Sequence, residues 1–342
     1  MKTIFFTFFF VIISTYFAST NRQDTCIQDD LQHRKPDFNL KQYQNKYIET
    51  TATVEYKKID GIEPLYLSLD IYKPYSQNKE LQHRPVIVFF HDGGWNSQNK
   101  QDLYTAGKVV WALQRGYLFV SVNHRLASFE LITETDPDIN NFKKRVMIDR
   151  IHQDAVDAVV WVYHNIVDYG GDPNNILLFG FSSGADIVAR LGLSTQTWMA
   201  HQLPTNFIKG VVVGDISTFD LKQSILDEQK KFINKEKNIY NYYLNVFGLD
   251  EKYWQKYTAQ EKIKKAVDIP AYFMIRTDEK YLIQNKLVTD NFIKKIKEKK
   301  VEVLDVTVHE TEHHEVYRMM LTDPSSELNK QLTQFIEKHL GH

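Results

Sequence analysis

Three kinds of side chain decide what chemistry this sequence can attempt. They are a serine in a tight glycine-flanked turn, carboxylates that follow apolar runs, and histidines near the end of the chain. Ser182 stands in Gly180-Phe181-Ser182-Ser183-Gly184. The apolar run Ile176 to Phe179 precedes it and a helix-like run, Ala185 to Leu193, follows. Strand, sharp turn and helix with a serine at the apex is the context of a nucleophile elbow. Such a turn strains the backbone of the serine, and strand and helix approach so closely that the residues two before and two after must be small. Gly180 and Gly184 meet that demand. The N–H of Ser183, at the helix start, is aimed at the same reaction centre, where a helix N-terminus favours negative charge.

A nucleophilic serine needs a base, a group that orients the base, and donors for the oxyanion. In chain order the acid should come between serine and histidine. Asp278 follows the apolar run Ala271 to Ile275 and fits the acid, with the adjacent Glu279 as the alternative. His309, His313 and His314 follow the last apolar run. His313 is the favoured base, because Val316 three residues on anchors a following turn, and His314 is the alternative. His91-Asp92-Gly93-Gly94 ends another apolar run, so the N–H groups of Gly93 and Gly94 are the expected oxyanion donors alongside Ser183. His91 is then structural. This chemistry needs no cofactor. No metal is expected either, since a tetrahedral site would need ligands from elsewhere.

The elements that must position these groups alternate. Pro85 to Phe90 and Tyr117 to Val122 are continuous apolar runs, as in strands buried on both faces. Ile208 to Val213, Ile269 to Ile275 and Val301 to Val308 read as further strands, and Thr51 to Lys57 and Leu65 to Tyr72 as two antiparallel edge strands. Helical spacing marks Gln101 to Gln114, Val146 to Val167, Tyr281 to Lys297 and Ser325 to Leu340. Such alternation gives a mostly parallel sheet with helices on both faces, which binds ligands beyond the carboxyl ends of its strands. Every candidate motif sits there. Residues 219–266, rich in Lys, Gln and Tyr, interrupt the alternation and read as a helical cap insertion or, alternatively, an ordinary surface excursion.

With these residues in place, the chain resembles the α/β-hydrolase superfamily, in its carboxylesterase and hormone-sensitive-lipase-like branches. The run Tyr169 to Ala185 resembles the carboxylesterase approach to the nucleophile. His91-Asp92-Gly93-Gly94-Trp95 resembles an H-G-G-G-W oxyanion loop, with Asp92 where that loop has its first glycine. Val122-Asn123-His124-Arg125-Leu126-Ala127 and Leu67 to Pro74 resemble strand-end and early-strand motifs of the same group. The resemblance spans roughly residues 50–340. It implies an α/β-hydrolase fold with a mostly parallel eight-stranded sheet. It also implies a triad of Ser182, Asp278 and His313, with Gly93, Gly94 and Ser183 as oxyanion donors. Similar sequences include arylformamidases, prenylcysteine methylesterases and feruloyl or acetyl esterases.

The chain of 342 residues is long enough for a sizeable core, with 42 basic and 43 acidic residues giving a net charge of −1. No basic stripe points to nucleic acid. Lys2, the apolar Ile4 to Ile13 and the small Ala18-Ser19-Thr20 read as a signal peptide over residues 1–20, the competing reading being an uncleaved anchor. Residues 21–45 form an irregular lead-in to the domain at 46–342. Cys26, the single cysteine, excludes an intrachain disulfide. The expectation is a secreted serine esterase acting on a small-molecule ester, with no stable membrane anchor once the signal is removed. An arylformamidase-type amidase and a non-catalytic binding module are the alternatives, and oligomeric state is left open.

Overall fold

The computed structural model describes residues 48–75, 83–102, 104–127, 146–236, 239–278 and 285–341. The signal peptide, the lead-in, Cys26, the loop after Phe129 and Glu279 lie outside the described residues. All described residues belong to one compact unit, Leu40–His342.

Its centre is an eight-stranded sheet in the order β1-β2-β4-β3-β5-β6-β7-β8. The strands are β1 (Ile48–Glu55), β2 (Ser68–Pro74), β3 (Arg84–Phe90), β4 (Leu118–Val122), β5 (Gly171–Phe181), β6 (Ile208–Gly214), β7 (Ala271–Thr277) and β8 (Val303–Val308). The pairs β1/β2 and β2/β4 are antiparallel and the remaining five are parallel. This is the α/β-hydrolase fold.

Strand period two explains how a continuous apolar run serves two cores. In β3, Val86, Val88 and Phe90 join the cluster that holds Ile151, Ala155 and Val159 of the helix Ile148–Asn165 and Ile187 of the helix Ser183–Leu191. Ile87 and Phe89 face the other way, toward Val109 of the helix Thr105–Gln114 and Leu332 and Phe335 of the helix Glu327–Leu340. Both faces of the sheet are therefore covered.

Two local departures have simple causes. The strand read from Leu65 begins at Ser68, because Pro64 starts a short 3-10 turn over Pro64–Leu67. The helix read from Gln101 begins at Thr105, because the backbone before it is tied into turns, with Lys100 N–H donating to Asn123 Oδ1. Residues 219–266 form the helices Leu221–Ile233, Tyr240–Phe247, Glu251–Tyr257 and Ala259–Ile263.

The glycines around Ser182 are sites of real contact. A Cβ on Gly184 would lie 2.1 Å from the Phe90 carbonyl oxygen and 2.5 Å from that of His91, and one on Gly180 would lie 2.2 Å from the Gly184 oxygen. Those neighbours are backbone and cannot rotate away. Gly184→Ala is expected to destabilise the fold by about 3 kcal/mol. Chemical denaturation measures this, and an unchanged midpoint would contradict the packing.

Candidate active site

Ser182 has φ 52° and ψ −120° and precedes the helix Ser183–Leu191. The strain is held from two sides. Ser182 N–H donates to the Gly214 carbonyl at the end of β6 at 2.7 Å, and Asp186 N–H returns to the Ser182 carbonyl at 3.2 Å. The side chain is nearly buried, with 8% of the residue exposed. Ser183, as first residue of the helix, has an N–H that precedes the intrahelical bonds.

Asp215 follows Gly214 directly, so it leaves the sheet beside the serine. It has φ 52°, and its N–H donates to the Ile275 carbonyl of β7 at 2.8 Å. Its carboxylate is fixed by β7: Oδ1 accepts the Thr277 N–H at 2.8 Å, and the Thr277 hydroxyl lies 3.2 Å from both oxygens. Oδ2 lies 2.5 Å from Nδ1 of His313. The His313 side chain is 13% exposed and that of Asp215 1%. The His313 ring packs on Phe181, the residue before the serine, with centroids 4.7 Å apart. A carboxylate and an imidazole thus pair at the carboxyl ends of β5 and β6, with the imidazole packed on the residue before the strained serine.

The structure does not bring the expected acid to the expected base. Asp278 does not face His313: its Oδ2 lies 2.7 Å from His309 Nδ1, and its Oδ1 accepts the Glu310 N–H at 3.0 Å, both in an exposed setting. The physical reason is one strand of displacement. Thr277 ends β7 by binding Asp215, and Asp278 lies beyond that contact, on the solvent side. A carboxylate directly after the strand next to the elbow was the available signal, and it satisfies the same order of serine, acid and histidine. His313 opens a short helix, His313–Met319, that sequence reasoning missed. His314 is exposed on it, edge-on to His313 at 5.2 Å.

The run His309-Glu310-Thr311-Glu312-His313 has the H-E-x-x-H spacing. That spacing serves a metal only when one helix presents both imidazoles. Here the helix begins at the second histidine, and the two rings engage different carboxylates. Among the described residues no group of three His, Cys, Asp or Glu could hold a metal ion.

Gly93 and Gly94 have φ 101° and 59°, a left-handed path open to glycine. The Gly93 carbonyl closes the turn by accepting the N–H groups of Asn96 and Ser97 and the Ser97 hydroxyl. Neither glycine N–H makes a backbone hydrogen bond among the described residues. Tyr242, in the helix Tyr240–Phe247, donates its hydroxyl to the Gly94 carbonyl. Trp95 packs edge-on against Phe247 at 5.2 Å, so this helix rests on the glycine loop. Beneath it His91 and His124 stack at 4.8 Å, each donating Nδ1–H to the next residue's carbonyl. Burial, with His124 alongside, lowers the His91 imidazole to about 3. It is a neutral structural ring.

A model of the carboxylesterase family matches residues 14–208, more than half of the chain. The chain belongs to the carboxylesterase family. It is 30% identical over 208 residues to mouse carboxylesterase 3B, an alignment covering 53% of this chain and 34% of that relative. It is 32% identical over 138 residues to neuroligin-like protein glit-1 of Caenorhabditis elegans, covering 40% of this chain and 17% of the relative. The chain thus spans about a third or less of these relatives. Among solved structures, esterase B from Lactobacillus rhamnosis superposes with a TM-score of 0.63 at 16% identity, covering 97% of this chain and 95% of that one. A truncated carbohydrate esterase from gut microbiota gives 0.61 at 16% identity, covering 87% and 98%. These likenesses show the fold. The carboxylesterase-family match takes in the glycine loop and the elbow and ends at residue 208, before Asp215 and His313.

In this member of the carboxylesterase family, Asp92 takes a cost that a glycine would not. It is buried, and its Oδ1 has no hydrogen-bond partner among the described residues. Burial and then Asp102 raise its carboxyl well above the usual 3.8, with Lys108 drawing it back only in part. A raised folded pKa means that stability is lost as pH climbs from about 4 through the folded value. Asp92→Asn removes that loss. Its melting temperature is expected to match the parent near pH 4 and to exceed it by a growing margin toward pH 8, as thermal melts across pH will read. A margin that shrinks with pH would contradict the burial of a strained carboxylate.

Proposed function

We propose that this chain is a serine hydrolase of carboxylic esters, working through an acyl-enzyme on Ser182. The observation that carries the reading is the buried Asp215–His313 pair packed on Phe181, next to a serine held at φ 52°. With Nδ1–H committed to Asp215, His313 Nε2 carries the lone pair and takes the proton from Ser182 Oγ as it attacks the ester carbonyl. The tetrahedral oxyanion is received by the N–H groups of Gly93, Gly94 and Ser183. The C–O bond to the alcohol breaks and His313 returns the proton to the leaving oxygen. Water then attacks the acyl-enzyme with His313 as base, releasing the acid and regenerating Ser182. Residues 219–266 act as a cap whose Tyr242 rests on the oxyanion loop. The N-terminal 1–20 segment directs secretion. No helix among the described residues is long and apolar enough to cross a membrane.

The test is covalent labelling with a fluorophosphonate, mapped by mass spectrometry, alongside turnover of p-nitrophenyl acetate and N-formylkynurenine. Label on Ser182 with faster turnover of the ester is expected. Faster turnover of the formamide would make the chain an amidase. A folded protein that takes no label would be a binding module on a hydrolase fold.

A further inference from the structure

The reaction uses no side chain from beneath the glycine loop, yet a charged cluster is buried there. Lys108, in the helix Thr105–Gln114, is fully buried. Its Nζ donates to the Tyr317 carbonyl at 2.8 Å and to the Tyr104 carbonyl at 3.0 Å, and lies 4.1 Å from the centre of the Tyr317 ring. The Tyr317 hydroxyl donates to Asp102 Oδ2 at 2.6 Å. Asp102 and Asp92 are both buried, and both favour the charged form of Lys108.

Each arm of this cluster ends on a different part of the proposed active site. Tyr317 lies one turn after His313 on the same helix, and its carbonyl is in the last turn, where intrahelical donors run out and a cation is favoured. Its ring stacks on Phe181 at 4.5 Å with 9° between planes, and Phe181 leads into Ser182. Asp92 opens the glycine loop. Stability alone does not call for such a cluster, since buried ion pairs replaced by well-packed apolar side chains often leave a fold as stable or more so.

We propose that Lys108, with Asp102 and Tyr317, is a positioning centre that holds the His313 helix in register with the serine elbow. This rests on the esterase reading. Lys108 touches no reacting atom. It acts through the Tyr317 carbonyl, and Asp102 through the Tyr317 hydroxyl, on the helix that carries the base. Burial pulls its ammonium down to about 7, while Asp102 and then Asp92 hold it up, as expected of a cation kept in place by those carboxylates.

The test compares the full-length parent with Lys108→Met, Asp102→Asn and the double variant. Lys108→Met alone leaves buried carboxylates without their cation, so both melting temperature and kcat fall. Asp102→Asn keeps an acceptor for the Tyr317 hydroxyl, so the double variant recovers most of the melting temperature. For a positioning role, its kcat toward p-nitrophenyl butyrate stays about 10²-fold below the parent, the scale of a small misplacement of reacting groups, while KM changes little. Recovery of kcat together with stability makes the cluster a fold element only and overturns the proposal. So does a Lys108→Met variant with parental kcat. The His313 Nδ1–H proton resonance gives a readout independent of turnover: it is expected to move in the double variant, and an unmoved resonance overturns the proposal. A parent chain without turnover would sink the esterase reading, and that resonance would still decide the role of Lys108.

Discussion

Ser182→Ala is expected to lower kcat for a p-nitrophenyl ester by about 10⁶-fold while leaving the melting curve close to that of the parent. The two halves have separate causes. The chemical half follows from covalent catalysis: without Oγ no acyl-enzyme forms, and only binding and the oxyanion donors remain to assist attack by water. The structural half follows from the elbow. Its geometry is held by backbone, through the Ser182 N–H to Gly214 and the Asp186 N–H to Ser182, and both bonds survive the substitution. The positive φ costs alanine what it costs serine, and the close approach of strand to helix depends on Gly180 and Gly184. Ester turnover and thermal melts on one preparation check both halves. Full activity in the variant would discard the acyl-enzyme, and a collapsed melt would move Ser182 from chemistry to folding.

The legibility of this chain divides along a physical line. Strands buried on both faces are plain in sequence, because no polar residue interrupts Val86 to Phe90 or Ile176 to Phe181. The elbow is plain because its two glycines are required by contacts at 2.1 and 2.2 Å that no other residue survives. The glycine loop is nearly as plain, since the positive φ of Gly93 and Gly94 again demands glycine. The acid is different. A carboxylate after any late strand reads alike, and which of them faces the imidazole depends on strand order and on where the ladder ends. Thr277, which holds Asp215, carries no mark in the sequence. The helix His313–Met319 was hidden for a similar reason: at seven residues it is too short for a periodic stripe, and it is held by Tyr317 packing on Phe181 and by the Lys108 bond to its last turn. The cluster around Lys108 joins positions 102, 108 and 317, which no local pattern connects.

Asp215 and Asp278 therefore make the most informative pair of substitutions. Asp215→Asn is expected to lower kcat by about 10⁴-fold, the scale seen when the carboxylate that orients a catalytic histidine becomes an amide. The contacts say why. Thr277 offers its N–H at 2.8 Å to Oδ1, so an asparagine must turn its oxygen there to avoid opposing two donors. Its NH2 then faces His313 Nδ1, which has to accept rather than donate. The ring proton moves to Nε2, where the lone pair is needed for Ser182, and the base is blocked with its position unchanged. Asp278→Asn should do none of this. Asp278 is exposed and binds His309 and the Glu310 N–H through different oxygens; an asparagine keeps its oxygen on the Glu310 N–H and turns its NH2 to the exposed His309 ring, which is free to change tautomer, so kcat is expected to stay within about threefold of the parent. Steady-state kinetics of the two variants decide between the carboxylates. Should Asp278→Asn carry the loss while Asp215→Asn keeps parental turnover, the orienting role returns to β7 and the buried Asp215–His313 pair becomes a structural tie between the His313 helix and the end of β6.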